Sequence, residues 1–238
     1  MPLRDARFSD HQALAEICSA AFFNEDLFGR VIHPHRYEFP HDPTVFWLQH
    51  IRNHWFDWRN RMLITYNTDS LHTSSEIITG LAVWQRQGKG GEKLALRTWD
   101  PRNIAIPLTK LSNRLTSLIY PNRALDPTKT TILQHAMPFS AHHWSCDRQE
   151  NWYLALCAVH PDHQGQGFGR QLVEWGLREA EKENVHASVM SSDGKTEFYL
   201  RCGFQEVVGN ANEGEGNPLV KEGVKGGDII FKFPKVGE

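Results

Sequence analysis

Residues 153–183 read YLALCAVHPDHQGQGFGRQLVEWGLREAEKE, and the fold is decided in this stretch. It opens on an uninterrupted apolar run, Tyr153 to Val159, and turns at His160, Pro161 and Asp162. A short apolar run closed by proline predicts a strand buried on both faces, because a buried helix would need to be longer. Three glycines follow in close succession, Gly165, Gly167 and Gly169. Beyond them Leu172, Val173, Gly176, Leu177 and Ala180 recur at helical spacing, while Arg170, Gln171, Glu174, Arg178 and Glu181 fall mostly on the opposite side. The pattern predicts an amphipathic helix. Its first N–H groups have no partner inside the helix, and residues without side chains let an anion approach that ring of donors, where the helix dipole also favours negative charge. The loop is therefore expected to hold a phosphate or a diphosphate.

Neither common nucleotide motif fits. The residue three after Gly167 is Arg170, which breaks G-x-G-x-x-G, and no Gly-Lys-Ser or Gly-Lys-Thr follows. What does fit is Gln164-Gly165-Gln166-Gly167-Phe168-Gly169, a Q-x-x-G-x-G between strand and helix. Here the chain resembles the GNAT superfamily of acetyl-CoA-dependent N-acetyltransferases. A second block agrees in order and spacing: Phe198-Tyr199-Leu200-Arg201-Cys202-Gly203-Phe204 matches the family's tyrosine-bearing helix running into Gly-Phe. The resemblance is loose over residues 1–86 and good over 152–208. It implies an α/β fold with a mixed, mostly antiparallel central sheet flanked by helices.

The rest of the chain is read against that expectation. Leu3 to Phe8 is a first strand, and Ser9 caps a helix carrying Ala13, Ile17, Ala20 and Ala21. Residues 24–40 break into a loop. Its His33-Pro34-His35 run lacks a second cluster at zinc-ligand spacing and is read as surface or packing histidine, with no metal expected. Asp42 and Pro43 start an aromatic-rich second helix. Met62 to Tyr66 and Ile77 to Arg86 form a hairpin around the turn Asn67 to Ser75. Residues 87–147 are read as a helical insertion between strands three and four of a single domain spanning 1–238. Lys89, Gly90 and Gly91 open it flexibly, Ile106 to Ile119 and Ile132 to Ala136 are helical, and its basic side chains outnumber the acidic ones. It is either a wall of an acceptor site or a packing decoration. Val185 to Met190 is a fifth strand, Lys195 to Arg201 a short helix, Gly209 to Gly227 a mobile loop, and Ile229 to Phe233 a last strand.

Composition excludes several classes. Lys and Arg total 26 against 28 for Asp and Glu, a net charge of −2, so there is no electrostatic footprint for nucleic acid. No apolar run is long enough to span a bilayer, and the N-terminus lacks a signal-peptide core. A soluble, cytoplasmic protein without a membrane partner is expected. Cys18, Cys146, Cys157 and Cys202 are scattered, without a C-x-x-C pair, and read as reduced packing cysteines.

The resemblance implies a site. The pantetheine arm of acetyl-CoA would enter between the fourth and fifth strands and pair with backbone groups of Leu156, Cys157, Ala158 and Val159. The diphosphate would rest on Gln164, Gly165, Gln166, Gly167, Phe168, Gly169 and Arg170. Arg170 adds a charge there or stands in solvent, where a cation opposes the helix dipole. A lysine-like amine has a pKa of about 10.4, so about one molecule in a few thousand is reactive at neutral pH and a proton acceptor is needed. Some family members place a glutamate near the start of the fourth strand; Tyr153 stands there in this chain, and a tyrosine of pKa about 10 is no ordinary base. A water chain through Glu150 or His143 is the alternative, and the base stays open. The departing thiolate would take its proton from Tyr199. A ping-pong route through Cys157 or Cys202 is disfavoured, because Cys157 lies mid-strand among apolar neighbours. The expected activity is acetyl transfer to a primary amine of a small molecule by direct attack in a ternary complex. A catalytically silent acyl-CoA sensor and a protein or peptide N-acetyltransferase are the alternatives.

Overall fold

The structure, a computed structural model, describes residues 2–68, 76–95 and 100–235. Its strands are β1 (Leu3–Asp5), β2 (Asn60–Thr68), β3 (Glu76–Arg86), β4 (Asn151–Val159), β5 (His186–Ser192), β6 (Glu206–Asn210) and β7 (Gly226–Lys232). They form one 7-stranded sheet in the order β1-β2-β3-β4-β5-β7-β6. Every neighbouring pair is antiparallel except β4 and β5, which run parallel. The fold is the mixed, mostly antiparallel α/β sheet that the sequence predicts. The turn expected over Asn67 to Ser75 lies largely outside the described residues.

Helices α1 (His11–Ala21) and α2 (Pro43–Trp55) cover one face, where Leu14, Ile17, Trp47 and Ile51 pack on Ile64, Leu81, Val83 and Leu156. Helices α3 (Gly88–Leu94), α4 (Ala105–Ile119) and α5 (Ile132–Ser140) lie between β3 and β4 in sequence. Helix α6 (Phe168–Glu183) covers the opposite face with α7 (Thr196–Cys202), joining Leu172, Val173 and Leu177 to Trp84, Trp152 and Leu154. The chain then forms the short α8 (Pro218–Lys221) before β7. Helix α6 sits close to the sheet because Gly176 has no side chain: a Cβ there would stand 2.1 Å from the Trp84 ring. The Trp84 indole donates to the Leu172 carbonyl at 3.0 Å.

Four expectations are corrected. Ser9 does not cap α1; it lies inside a short turn, Phe8–Asp10, and Asp10 precedes the helix. Residues 24–40 are not all loop, since Asp26–Ile32 forms a π-helical turn. Its wide bond runs from Arg30 N–H to the Glu25 carbonyl at 3.1 Å, and Gly29 allows the close approach, because a Cβ there would meet the Phe23 carbonyl at 2.4 Å. Lys89 to Gly91 is not a flexible entry but part of α3. The Glu150 carboxylate accepts from the N–H groups of Lys89 and Gly90, and side chains at Gly90 or Gly91 would strike Arg86. Gly209 to Gly227 is not a mobile loop either: Ala211, Asn217 and Leu219 are buried, and the Asn217 amide donates to the Ala211 and Glu213 carbonyls at 2.8 and 2.7 Å. Glycine and charge in sequence suggested freedom; a buried asparagine supplies the missing partners.

Candidate functional site

The turn after β4 is built by local rules. Pro161–His163 forms a 3-10 turn, Gln164 closes it by donating from its amide to the Val159 carbonyl at 3.0 Å, and Gln166 donates to the Asp162 carbonyl at 3.3 Å. Gly165 and Gly167 take φ of +76° and +88°, a region that side-chain-bearing residues avoid. Gly167 directly precedes α6. None of the N–H groups from Gly165 to Arg170 donates to another described residue. They form a ring of open donors at the positive end of a long helix, a ready anion site. Arg170 is exposed and has no carboxylate partner among the described residues, which favours its role as an added charge.

Beside this ring the sheet opens. β4 pairs with β5 only from Asn151↔His186 to Leu154↔Val189, although both strands continue beyond. At the point of parting, β4 carries a bulge: partners pass from Val83↔Leu156 to Trp84↔Leu154, leaving Ala155 extra. The slot therefore has one wall of strand backbone, Ala155 to Val159, without a β5 partner. Its Val159 carbonyl is already held by Gln164.

Tyr199 and Cys157 belong to the core on the α6 side of the sheet, and Tyr153 lies within electrostatic range of the Tyr199 hydroxyl. Tyr199 is buried on α7, and the electrostatic neighbours of its hydroxyl are Cys157, Cys202 and Tyr153. Burial, reinforced by those neighbours, pushes the Tyr199 hydroxyl well above its ordinary value, which keeps it protonated near neutral pH. Burial likewise pushes Tyr153 up to about 12. The thiols of Cys157 and Cys202 rise to about 12 and about 11, again through burial, which speaks against a thiolate nucleophile.

Glu150 is not brought to the slot. It precedes β4, at the end of the strand remote from the glycine turn, and accepts from the Arg86 guanidinium at 2.8 Å. Burial works against its charge, but Arg86 and the N–H groups of Gly90 and Lys89 hold its carboxyl below the ordinary range. Nor does His143 face the opening. Its ring packs over Gly209 of the edge strand β6, where a Cβ would sit 2.2 Å from its Nε2, and that nitrogen lies 2.5 Å from the Glu213 carboxylate. With His142, these two residues place ligand atoms within 4.8 Å of one another, the spacing of a three-ligand metal group. His33 is a packing histidine, its Nδ1 2.6 Å from the Phe28 carbonyl.

One residue that sequence reading missed lies near the far end of β5. The carboxyl of Glu25, at the head of the π-helical turn, accepts from Phe28 N–H at 2.6 Å and lies near the Ser192 hydroxyl at the end of β5. Burial raises its pKa above the ordinary carboxylate value, and the Phe28 N–H and the nearby Ser192 hydroxyl offset this only in part. Ser188, Met190 and Ser192 share one face of β5 by strand alternation. Ser188 accepts from the Trp144 indole, and Trp144 packs edge-on against Tyr153. Glu25 therefore stands on the Tyr153 side of the sheet, beyond the parting of the two strands. No periodicity marks Glu25 in the sequence; a helix-capping position before an irregular turn was the available signal.

Residues 139–206 match the family model described as an acetyltransferase (GNAT) domain. The fold is similar to a Corynebacterium glutamicum structure described as histone acetyltransferase HPA2 and related acetyltransferase, at 17% identity over 99% of this chain and 97% of that one, with a TM-score of 0.57. It is also similar to a provisionally named arylalkylamine N-acetyltransferase 7 of the yellow fever mosquito, at 9% identity over 97% of this chain and 86% of that one, with a TM-score of 0.55. At such identities the likeness is one of fold.

Proposed function

We propose that the chain, whose residues 139–206 match an acetyltransferase (GNAT) domain, is an N-acetyltransferase of that superfamily that moves the acetyl group of acetyl-CoA to a primary amine of a small molecule, by direct attack in a ternary complex. The observation that carries this reading is the ring of open N–H donors from Gly165 to Arg170 beside a slot where β4 and β5 part. Acetyl-CoA supplies an acyl group activated as a thioester. The donor ring and Arg170 hold its diphosphate, and the free backbone of Leu156, Cys157 and Ala158 pairs with the amides of its arm. Glu25 takes the proton that the acceptor's ammonium must lose, a role suited to a carboxyl whose pKa lies above the ordinary value. Tyr199 presents its hydroxyl proton to the departing sulfur. Tyr153 lines the opening and exchanges no proton.

Calorimetry with acetyl-CoA, followed by thiol-release assays over a panel of amines, polyamines, amino acids and peptides, tests the reading. Binding is expected, with release only when a small amine is present. Absence of heat refutes the cofactor site; binding without release from any acceptor indicates a silent sensor; release with peptides alone indicates a protein substrate.

A further inference from the structure

Helix α4 lies against α2 through its polar side. The Gln49 amide of α2 donates to Ser117 Oγ at 2.8 Å and to the Asn113 carbonyl at 3.2 Å, and the Asn113 amide donates to Asn53 Oδ1 at 3.1 Å. The apolar side is left outward. No residue of α4 is buried, and Ile104, Leu108, Leu111, Leu115 and Leu118 expose 65%, 57%, 53%, 51% and 79% of their surface. Their spacing of three and four residues places them on one stripe, opposite Asn113 and Ser117. An ordinary surface helix does the reverse, burying its leucines and wetting its amides. Here the polar contacts fix the orientation, and the stripe is held out to an apolar phase.

Charge identifies that phase. Lys110 and Arg114 stand exposed along one border of the stripe, and neither pairs with a carboxylate among the described residues. From residue 101 to residue 125 the chain carries no acidic side chain. Two copies of α4 packed face to face would bring basic borders together with no carboxylate to meet them. An anionic lipid surface meets both needs at once, taking the leucines at the acyl boundary and the two cations among its headgroups.

We propose that α4 is an interfacial helix that docks the protein on an anionic membrane surface. The sequence argument against a membrane partner concerned spanning segments; no helix of the described residues is long and apolar enough to cross a bilayer, and a helix lying in the interface does not need to be.

Sedimentation of the full chain with phosphatidylcholine vesicles, with and without phosphatidylserine, tests this. Binding is expected to the phosphatidylserine vesicles and to weaken with salt. The K110Q/R114Q variant should bind about 30-fold more weakly, at about fivefold for each cation. The L111S/L115S variant should lose on the order of a hundredfold. All four side chains are exposed, so circular dichroism and melting should match the parent. Failure to sediment with phosphatidylserine vesicles overturns the proposal, as does equal binding to phosphatidylcholine alone. Analytical ultracentrifugation showing a dimer that L111S/L115S dissociates also overturns it, since the stripe would then pair two copies.

Discussion

Replacing Gly176 by alanine adds one methyl group where α6 meets the sheet. The new Cβ would lie 2.1, 2.3 and 2.4 Å from three ring carbons of Trp84, whereas ordinary contact begins at 3.4 Å. Ring or helix must retreat by more than about an ångström. The ring has no room, since Trp84 is fully buried and its indole is tied to Leu172 on the same helix. Overpacking of this kind costs about 1–3 kcal/mol, and loss of the indole bond would add about 1 kcal/mol. Alanine returns about 1 kcal/mol through its better helix propensity. The net expectation is a loss of about 1–3 kcal/mol, read as a fall of roughly 2–10 °C in Tm. Urea unfolding of G176A, W84F and the double variant tests the cause. A smaller ring relieves the clash, so the double variant should be more stable than additivity predicts by about 1 kcal/mol or more. A G176A protein as stable as the parent, or strict additivity, would refute the claim that this glycine seats α6.

Other outcomes follow from the site and the core. Tyr199→Phe should lower turnover by roughly ten- to ten-thousand-fold while acetyl-CoA affinity is unchanged, and full turnover in the variant removes Tyr199 from the reaction. Glu25→Gln should lower kcat/KM by about 10²- to 10⁴-fold and abolish an acid limb whose midpoint lies above the ordinary carboxylate value; an unaltered pH–rate profile would exclude Glu25 as the proton acceptor. Glu150→Gln should leave turnover of the folded enzyme intact and cost about 1–3 kcal/mol, because Arg86 loses a charged partner in a buried setting; selective loss of turnover would return Glu150 to the chemistry. Burial, with help from His54, lowers His50 from 6.5 to about 3, and burial lowers His54 too. The unfolded chain then binds more protons below 6.5, so stability is intact above that value and falls as pH drops through it toward about 3. Urea midpoints at about pH 7.5 and about pH 5 check this, and H50N should flatten the difference.

Much of the fold was legible because its cues are local. The apolar run ended by Pro161, the glycines at 165 and 167 with positive φ, and the helical period from Leu172 to Ala180 each act within a few residues. Their reading survives in the structure with boundaries shifted by one or two positions. The same local logic misjudged α3 and the segment after β6. There glycine-rich stretches are ordered by distant groups, the Glu150 carboxylate and Arg86 in the first and the Asn217 amide in the second. The helix that carries Tyr199 was readable from the Gly203 that ends it. The position of Glu25 was not, because its neighbour Ser192 lies far along the chain.

The amino-acid order alone determined a strand, a glycine turn and a helix in succession, since backbone freedom at glycine and the spacing of apolar residues need no distant partner. Tertiary structure decided that Glu25 lies near the end of β5, that Glu150 serves Arg86, and that α4 shows its leucines to the outside. Those outcomes depend on side chains that meet only when the sheet and its covering helices close, such as Gln49 with Ser117. A linear pattern records that a helix has two faces, but packing selects the one turned inward.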